Sequence, residues 1–391
     1  MIKIKHKEDC CGCTACQQVC PKSCISMHND EQGFAYPRID SEKCIDCHLC
    51  EKVCPVINQY MPKESPMKCY LAKSRNDDVR SQSSSGGIFT ELAKYTIEQK
   101  GVVFGVRFNE RWQAVYYFTE TMEGVDAFRG SKYVQADINS SYAKVKEYLK
   151  AGRLVLFSGT PCYVSGLNHF LKEEYPNLIT IDIVCHSIPS PKIWQMYLGE
   201  LEQRNNAHVT DVTFRDKSNG WSNYSLGVRL KTAEGNECSI IESHFENVFS
   251  RGFADDIITR PSCSQCPARN YKSNSDITIA DAWAINKYHP QQNDEKGISH
   301  IMLNTNKGIA VFSELLEGID ATSIPYYEVE PNAVHAPITQ SCPSNPLRTL
   351  FYKRVNKGYL VIDTLTNIER QYKKFYQIFR IYRYIRKKIN R

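Results

Sequence analysis

The amino-acid sequence predicts a mixed α+β / α/β chain in three parts: a small cysteine-rich N-terminal module, a larger α/β body with βαβ units, and a basic amphipathic helix at the C-terminus. Three observations carry this. A cysteine pattern at residues 10–20 recurs at 44–54. Short apolar runs alternate with amphipathic runs through the middle of the chain. Residues 351–391 hold twelve Lys/Arg against two Asp/Glu, although the whole chain carries a net charge of only +6. The basic character therefore belongs to the tail, and the rest of the chain is slightly acidic.

At 391 residues the chain is long enough for two or three domains with a core that needs no staples. Hydrophobic residues make up 42% and charged residues 24%, as in an ordinary water-soluble protein. The start, "MIKIKHKEDCC", has charge but no apolar signal-like region, and no run reaches the roughly 18 apolar residues of a membrane span. Seventeen cysteines in such a chain predict thiolates for metal in a reducing compartment, the cytoplasm, rather than disulfides.

The N-terminal module, residues 1–60, reads Cys10-x2-Cys13-x2-Cys16-x3-Cys20-Pro21, then Cys44-x2-Cys47-x2-Cys50-x3-Cys54-Pro55. This duplication is the pattern of a two-cluster bacterial ferredoxin. Three closely spaced thiolates wrap one 4Fe-4S cubane, and the fourth cysteine leads away to ligate the other. One cluster is thus expected on Cys10, Cys13, Cys16 and Cys54, and the second on Cys44, Cys47, Cys50 and Cys20. Zinc ribbons use paired CxxC hooks, not a triple followed by Cys-Pro twice. Cys11 and Cys24 fall out of register and read as small buried residues. "NQYMPKESPMK", residues 58–68, is a polar, proline-containing linker.

The body is expected over residues 69–335. Ser83, Ser84, Ser85, Gly86 and Gly87 precede an amphipathic helix from Ile88 to Gln99, and "VVFGVRF" follows as a strand. Small residues at a helix start let backbone N–H groups approach an anion such as a cofactor phosphate; a plain N-cap is the simpler alternative. Arg129, Lys132 and Tyr133 sit in a loop before a helix starting near Ser140. "RLVLF" predicts a strand, with Cys162 in the turn after it and a helix from Val164 to Glu174. A second strand, Asn177 to Val184, runs into Cys185-His186, and a helix follows from Lys192 to Leu201. In parallel strands Cys162 and Cys185 would share the carboxyl edge of the sheet, where α/β proteins place ligands. Later comes Cys263-x2-Cys266-Pro267, then a strand from Asp276 to Ala280 and Asp281. A CxxC pair supplies half a cubane's ligands, and Cys162 with Cys185 could supply the rest as a third 4Fe-4S site. A redox dithiol, half a zinc site, or four unrelated buried cysteines are the alternatives.

With these residues in view, the chain resembles the beta-subunit family of coenzyme F-420 hydrogenases and dehydrogenases. The resemblance rests on "SSSGGIFTELA", "GSKYVQAD", "FSGTPCYVSGL", "IVCHSIPSP" and "SCSQCP…SDITIADAW…KGIS", in that order, within roughly residues 10–305. It implies an α/β flavin-binding body holding FAD and a 4Fe-4S cluster, often behind a ferredoxin module. Such proteins pass electrons between clusters and flavin, and the flavin exchanges hydride with a substrate. Carried over, the family pattern matches Cys162, Cys185, Cys263 and Cys266 as cluster ligands. Ser84, Ser85, Gly86 and Gly87, with Lys132 and Tyr133, match segments near the cofactor. Ser187 and Ala280 stand where glycine is common in the family, and neither change removes a ligand. His186 and Lys132 are the catalytic candidates, although a histidine so placed is more often structural.

The expected function is a flavin-dependent iron–sulfur oxidoreductase taking electrons from a ferredoxin-like donor or partner subunit to a small-molecule substrate, or the reverse. An electron-transfer subunit without its own substrate site, or a redox sensor or assembly protein, are the rivals. In the tail, residues 345–391, Ile368, Tyr372, Phe375, Phe379, Tyr382, Ile385 and Ile389 fall at helical steps between basic residues. A helix packed on its own body or peripheral contact with the inner membrane surface suits that pattern, and nucleic acid less so.

Overall fold

The computed structural model describes residues 1–329, 336–371, 378 and 381. Strands β1 (Ile25–Asn29) and β2 (Ala35–Ile39) form an antiparallel hairpin inside the N-terminal module. Eight further strands build one mixed sheet: β3 (Lys68–Ser74), β4 (Val102–Phe108), β5 (Ala114–Thr119), β6 (Val155–Gly159), β7 (Leu178–Ile183), and, later in the chain, Ile277–Asp281, Ser299–Leu303 and Ile319–Ile324. Between them β8 (Ala207–Asp216), β9 (Ser225–Thr232) and β10 (Glu237–Ser243) make a separate antiparallel sheet. The last three strands of the large sheet are then β11, β12 and β13, and its order is β13-β3-β12-β11-β7-β6-β4-β5.

The centre of this sheet is parallel: β4 pairs β6, β6 pairs β7, and β7 pairs β11. These strands are mostly apolar because both faces are covered, with the buried Thr180, Asp182 and Thr278 as exceptions. The pleat sends Val102, Phe104, Val155 and Phe157 into one buried cluster and Val103, Leu156 and Ile179 into the other. Helix α1 (Ile88–Glu98) covers the second face through Ile88, Leu92 and Ala93. Helices α2 (Ser141–Lys150), α3 (Pro161–Leu171) and α4 (Pro191–Asn205) cover the first.

The βαβ reading from β6 to β7 holds, with one shift. Helix α3 starts at Pro161, not near Val164, so Cys162 lies in the first helical turn and not in a loop. Proline suits the first helical position, where its missing N–H would have had no partner. The helix stops at Leu171, short of Glu174, because Lys172 takes the left-handed conformation (φ 65°).

Of the tail, the helices Leu347–Val355 and Val361–Gln371 are described, and both pack on the body. Val361, Leu365 and Ile368 are buried, and the Glu200 carboxylate accepts from the N–H groups of Val361 and Ile362, the latter at 2.9 Å. Except for Ile378 and Ile381, the basic stretch 372–391 lies outside the described residues. Among the described residues no helix is long and apolar enough to cross a membrane.

Candidate functional site

The parallel strands β6, β7 and β11 deliver Thr160, Val184 and Asp281 to one edge of the sheet. There the chain opens into a cavity of about 1230 Å³. That exceeds the roughly 300–1,000 Å³ typical of small-ligand sites. Ser84, Ser85, Gly87, Lys132, Tyr133, Cys185 and His186 all line it. Gly86 is absent from the lining. A Cβ there would lie 2.4 Å from the Ala72 carbonyl oxygen and 2.9 Å from Ser299 N, so glycine lets the loop lie flat on β3 and β12. Gly87 caps α1 with φ 82°.

The serine hydroxyls are partly committed. Ser84 Oγ accepts from Ser131 N at 2.8 Å, and Ser85 Oγ donates to the Ile298 carbonyl at 2.7 Å. Lys132 Nζ donates to the carbonyls of Ala127 (2.9 Å) and Arg129 (2.7 Å). Lys132 is only half-buried by surface, yet the cavity walls enclose it, and that burial pulls its ammonium down to about 7. On the wall, the buried Tyr116 Oη and Arg129 Nε are among the polar atoms without a hydrogen-bond partner among the described residues. A polar ligand would satisfy them.

Beside the cavity Arg215, 3% exposed at its side chain, forms a two-point ion pair with Asp281, both distances 2.9 Å. Its guanidinium also donates to the Ser84 carbonyl at 2.8 Å and stacks over Tyr224 at 4.2 Å. Trp283 lies on Trp221 at 4.8 Å, with Arg215 over its ring at 5.3 Å, and is about half exposed. Reasoning from sequence assigned no role to Arg215, Tyr224 or Trp283. The only signal was "DAW" within the family-like stretch. His186 Nε2 lies 2.9 Å from the buried Asp256 carboxylate. His169 is elsewhere, bonded to the Ser165 carbonyl at 2.7 Å and tilted against Tyr60.

The cysteines fall into three groups. Cys16 lies beside Cys10 and Cys54, and Cys13 beside Cys16 and Cys54. Burial, reinforced by Cys10 and Cys54, pushes the Cys16 thiol up to about 12. Cys20, Cys44, Cys47 and Cys50 line one small separate cavity, and Ile2 N donates to Cys50 Sγ at 3.4 Å. Cys24 sits next to this set, its sulfur 3.3 Å from Cys20 Sγ. The third group joins Cys162, Cys185, Cys263 and Cys266: Cys263 lies beside the other three. Burial pushes the Cys185 thiol up to about 12, with Arg269 opposing and Cys162 and Cys266 reinforcing.

Arg269, 7% exposed, packs against this third group and donates to the carbonyls of Cys185, His186 (2.8 Å) and Pro337. It makes no ion pair with a carboxylate among the described residues. Four neighbouring thiols beside a buried cation without a carboxylate are a donor set that would suit a thiolate-bound metal cluster, whose negative charge would offset the cation. Cys342, which the reading of the sequence left aside, is buried near Cys263 and Asp256.

The fold and thiol groups define an α/β protein carrying an iron–sulfur module. Residues 9–58 match the model of the 4Fe-4S dicluster domain. Residues 69–142 match "Coenzyme F420 hydrogenase/dehydrogenase, beta subunit N-term", and residues 152–326 match the corresponding C terminus. The chain belongs to this coenzyme F420 hydrogenase/dehydrogenase beta-subunit family, an oxidoreductase family. Among solved structures, a chain of the F420-reducing [NiFe] hydrogenase complex from Methanosarcina barkeri is similar over 81% of this chain and 96% of that one, at 16% identity and a TM-score of 0.44. No curated protein matches the chain.

Proposed function

We propose that this chain is a flavin-dependent iron–sulfur oxidoreductase that exchanges electrons between a ferredoxin-like donor or partner subunit and a small-molecule substrate. In this reading Cys10, Cys13, Cys16 and Cys54 hold one 4Fe-4S cluster, and Cys20, Cys44, Cys47 and Cys50 a second. Cys162, Cys185, Cys263 and Cys266 hold a third. FAD occupies the large cavity. The observation that carries the reading is the place of Cys185: it belongs to the third thiol group and also lines the cavity.

When bound, FAD would supply the exchange between one-electron and hydride chemistry. The chain's own residues do the holding. The Ser84–Gly87 loop and the start of α1 would receive phosphate, and Arg129 and Tyr116 would donate to polar groups of the cofactor. The aromatic side chains Tyr133, Tyr224 and Trp283 offer stacking surfaces. His186 directly follows Cys185 in the chain and Lys132 follows Ser131, which bonds Ser84; both line the cavity and are the catalytic candidates.

Anaerobic purification with iron, sulfide and flavin counting tests this reading. It expects about twelve irons and one FAD per chain. About eight irons without flavin would replace it with an electron carrier or redox sensor. A second reading, an electron-transfer subunit of a larger complex, is favoured by the beta-subunit description of the family. Absence of any substrate turnover, together with rapid oxidation by a partner protein, would select it. The cysteine usage suits the cytoplasm, and the basic stretch 372–391 suits an anionic membrane surface. A chain lacking that stretch that still sediments with anionic vesicles would remove the membrane role.

A further inference from the structure

Arg260 is 1% exposed and makes no ion pair with a carboxylate among the described residues. Burying a guanidinium in this way is costly unless an anion offsets it. Its neighbours are sulfur, amide and aromatic groups. Nε donates to the Cys10 carbonyl at 2.8 Å, and Nη2 reaches Cys10 Sγ at 3.6 Å and the Ala35 carbonyl at 2.9 Å. Nη1 donates to Gln135 Oε1 at 2.9 Å, and the plane lies over Tyr36 at 4.5 Å. The same charge acts on Cys162 in the third thiol group. Its own carbonyl accepts from Cys263 N at 3.1 Å.

The chain closes tightly around this point. Gly12 has φ 75°, and a Cβ there would lie 2.6 Å from Gln135 Nε2 and 2.9 Å from Arg260 Nη1. A Cβ on Gly166 of α3 would lie 2.8 Å from Cys13 Cβ. Cys11, which is buried, lies close to both Cys13 and Cys162 and so bridges the two groups. The Cys10/Cys13/Cys16/Cys54 set thus lies against the third set. Cys47 of the remaining set is exposed to solvent.

We infer that Arg260 is a shared counter-cation between the Cys10 set and the third thiol group, and that it makes the Cys10 cluster the exit of the ferredoxin module into the body. The inference rests on the three-cluster reading. It orders the path: donor, the Cys20/Cys44/Cys47/Cys50 cluster, the Cys10 cluster, the third cluster. Arg260 acts as a positioning residue. Its charge and its bond to Cys10 Sγ stabilise the more negative, reduced state of that cluster and so raise its potential.

The test begins with iron and sulfide counts on the full-length protein, which judge the three-cluster reading by themselves. EPR-monitored redox titration then compares wild type with Arg260→Gln and Arg260→Lys at equal iron content. A shift of the Cys10 cluster, and a smaller one of the third cluster, to lower potential in Arg260→Gln, with the Cys20/Cys44/Cys47/Cys50 cluster unmoved and the wild-type values largely restored in Arg260→Lys, is expected. An unmoved potential, or equal shifts of both module clusters, overturns the inference. If the arginine variants do not fold, Cys266→Ala is measured instead, with Cys47→Ala used to tell the two module signals apart. Loss of the third cluster should then slow the spin relaxation of the Cys10 cluster and leave the Cys20 set unchanged. The opposite pattern, or no change in a protein whose wild type holds about twelve irons, overturns the inference.

Discussion

Arg215 shows what a single buried side chain does here. It joins Asp281 at the end of β11 to the Ser84 carbonyl in the loop before α1, and it backs Tyr224. Replacing it by alanine leaves the partly buried Asp281 carboxylate without its cation, a loss below the roughly 3–5 kcal/mol of a fully buried pair. The expected outcome is a lower urea midpoint for Arg215→Ala, with flavin retention falling with it. A midpoint equal to wild type would mean the pair is dispensable. Lys132 gives a pH signature. Its folded-state value, near 7, lies below the 10.5 of an exposed lysine, so between about pH 7 and 10 the unfolded chain binds more protons. The Lys132 contribution therefore rises with pH across that window. Wild type should gain urea resistance relative to Lys132→Met from pH 7 to pH 9, and parallel curves would contradict this.

At the scale of elements, two contacts set how the parts meet. Helix α3 carries Cys162 in its first turn and Gly166 one turn later, where the module's Cys13 presses on the bare backbone. Gly166→Val forces the module outward, and overpacking of this kind costs about 1–3 kcal/mol. The expected result is a lower melting temperature together with faster loss of iron to a chelator; unchanged iron retention would show that the interface can yield. At the other end, Glu200 on α4 caps the helix Val361–Gln371. A carboxylate at a helix N-terminus satisfies its free N–H groups and its dipole. Glu200→Ala should cost about 1–2 kcal/mol, as for loss of an N-cap, and Glu200→Gln less. Equal stability of all three proteins by denaturant titration would remove the cap argument.

Across the whole molecule, metal and fold are coupled through Arg260 and Arg269. Both are buried cations whose offsetting charge, in the proposed reading, comes from thiolate-bound clusters. Iron removal should therefore weaken the body as well as the module. All four tryptophans, Trp112, Trp194, Trp221 and Trp283, lie outside the N-terminal module, so their fluorescence reports the body alone. Chelation is expected to lower the unfolding temperature read by tryptophan. A tryptophan transition that ignores iron would confine the coupling to the module.

What the chain's sequence determined by itself is what short-range pattern encodes. The duplicated Cys-x2-Cys-x2-Cys-x3-Cys-Pro runs announce an iron–sulfur module because three ligands of each set lie within one turn of chain. Strands β6 and β7 and the helix between them follow from apolar period and length, and from parallel pairing come Cys162 and Cys185 at one edge. Helix starts were less legible, since Pro161 reads as a turn residue until it is seen at a first helical position. Arg260 and Arg269 were not legible at all. An arginine in a loop has the same sequence signature whether it faces water or is buried, and Arg260 meets Cys10 across 250 positions of chain. Only the tertiary structure decided which thiol sets touch, which charges are buried without a carboxylate, and which glycines bring two backbones together, because each depends on packing between segments far apart in the chain.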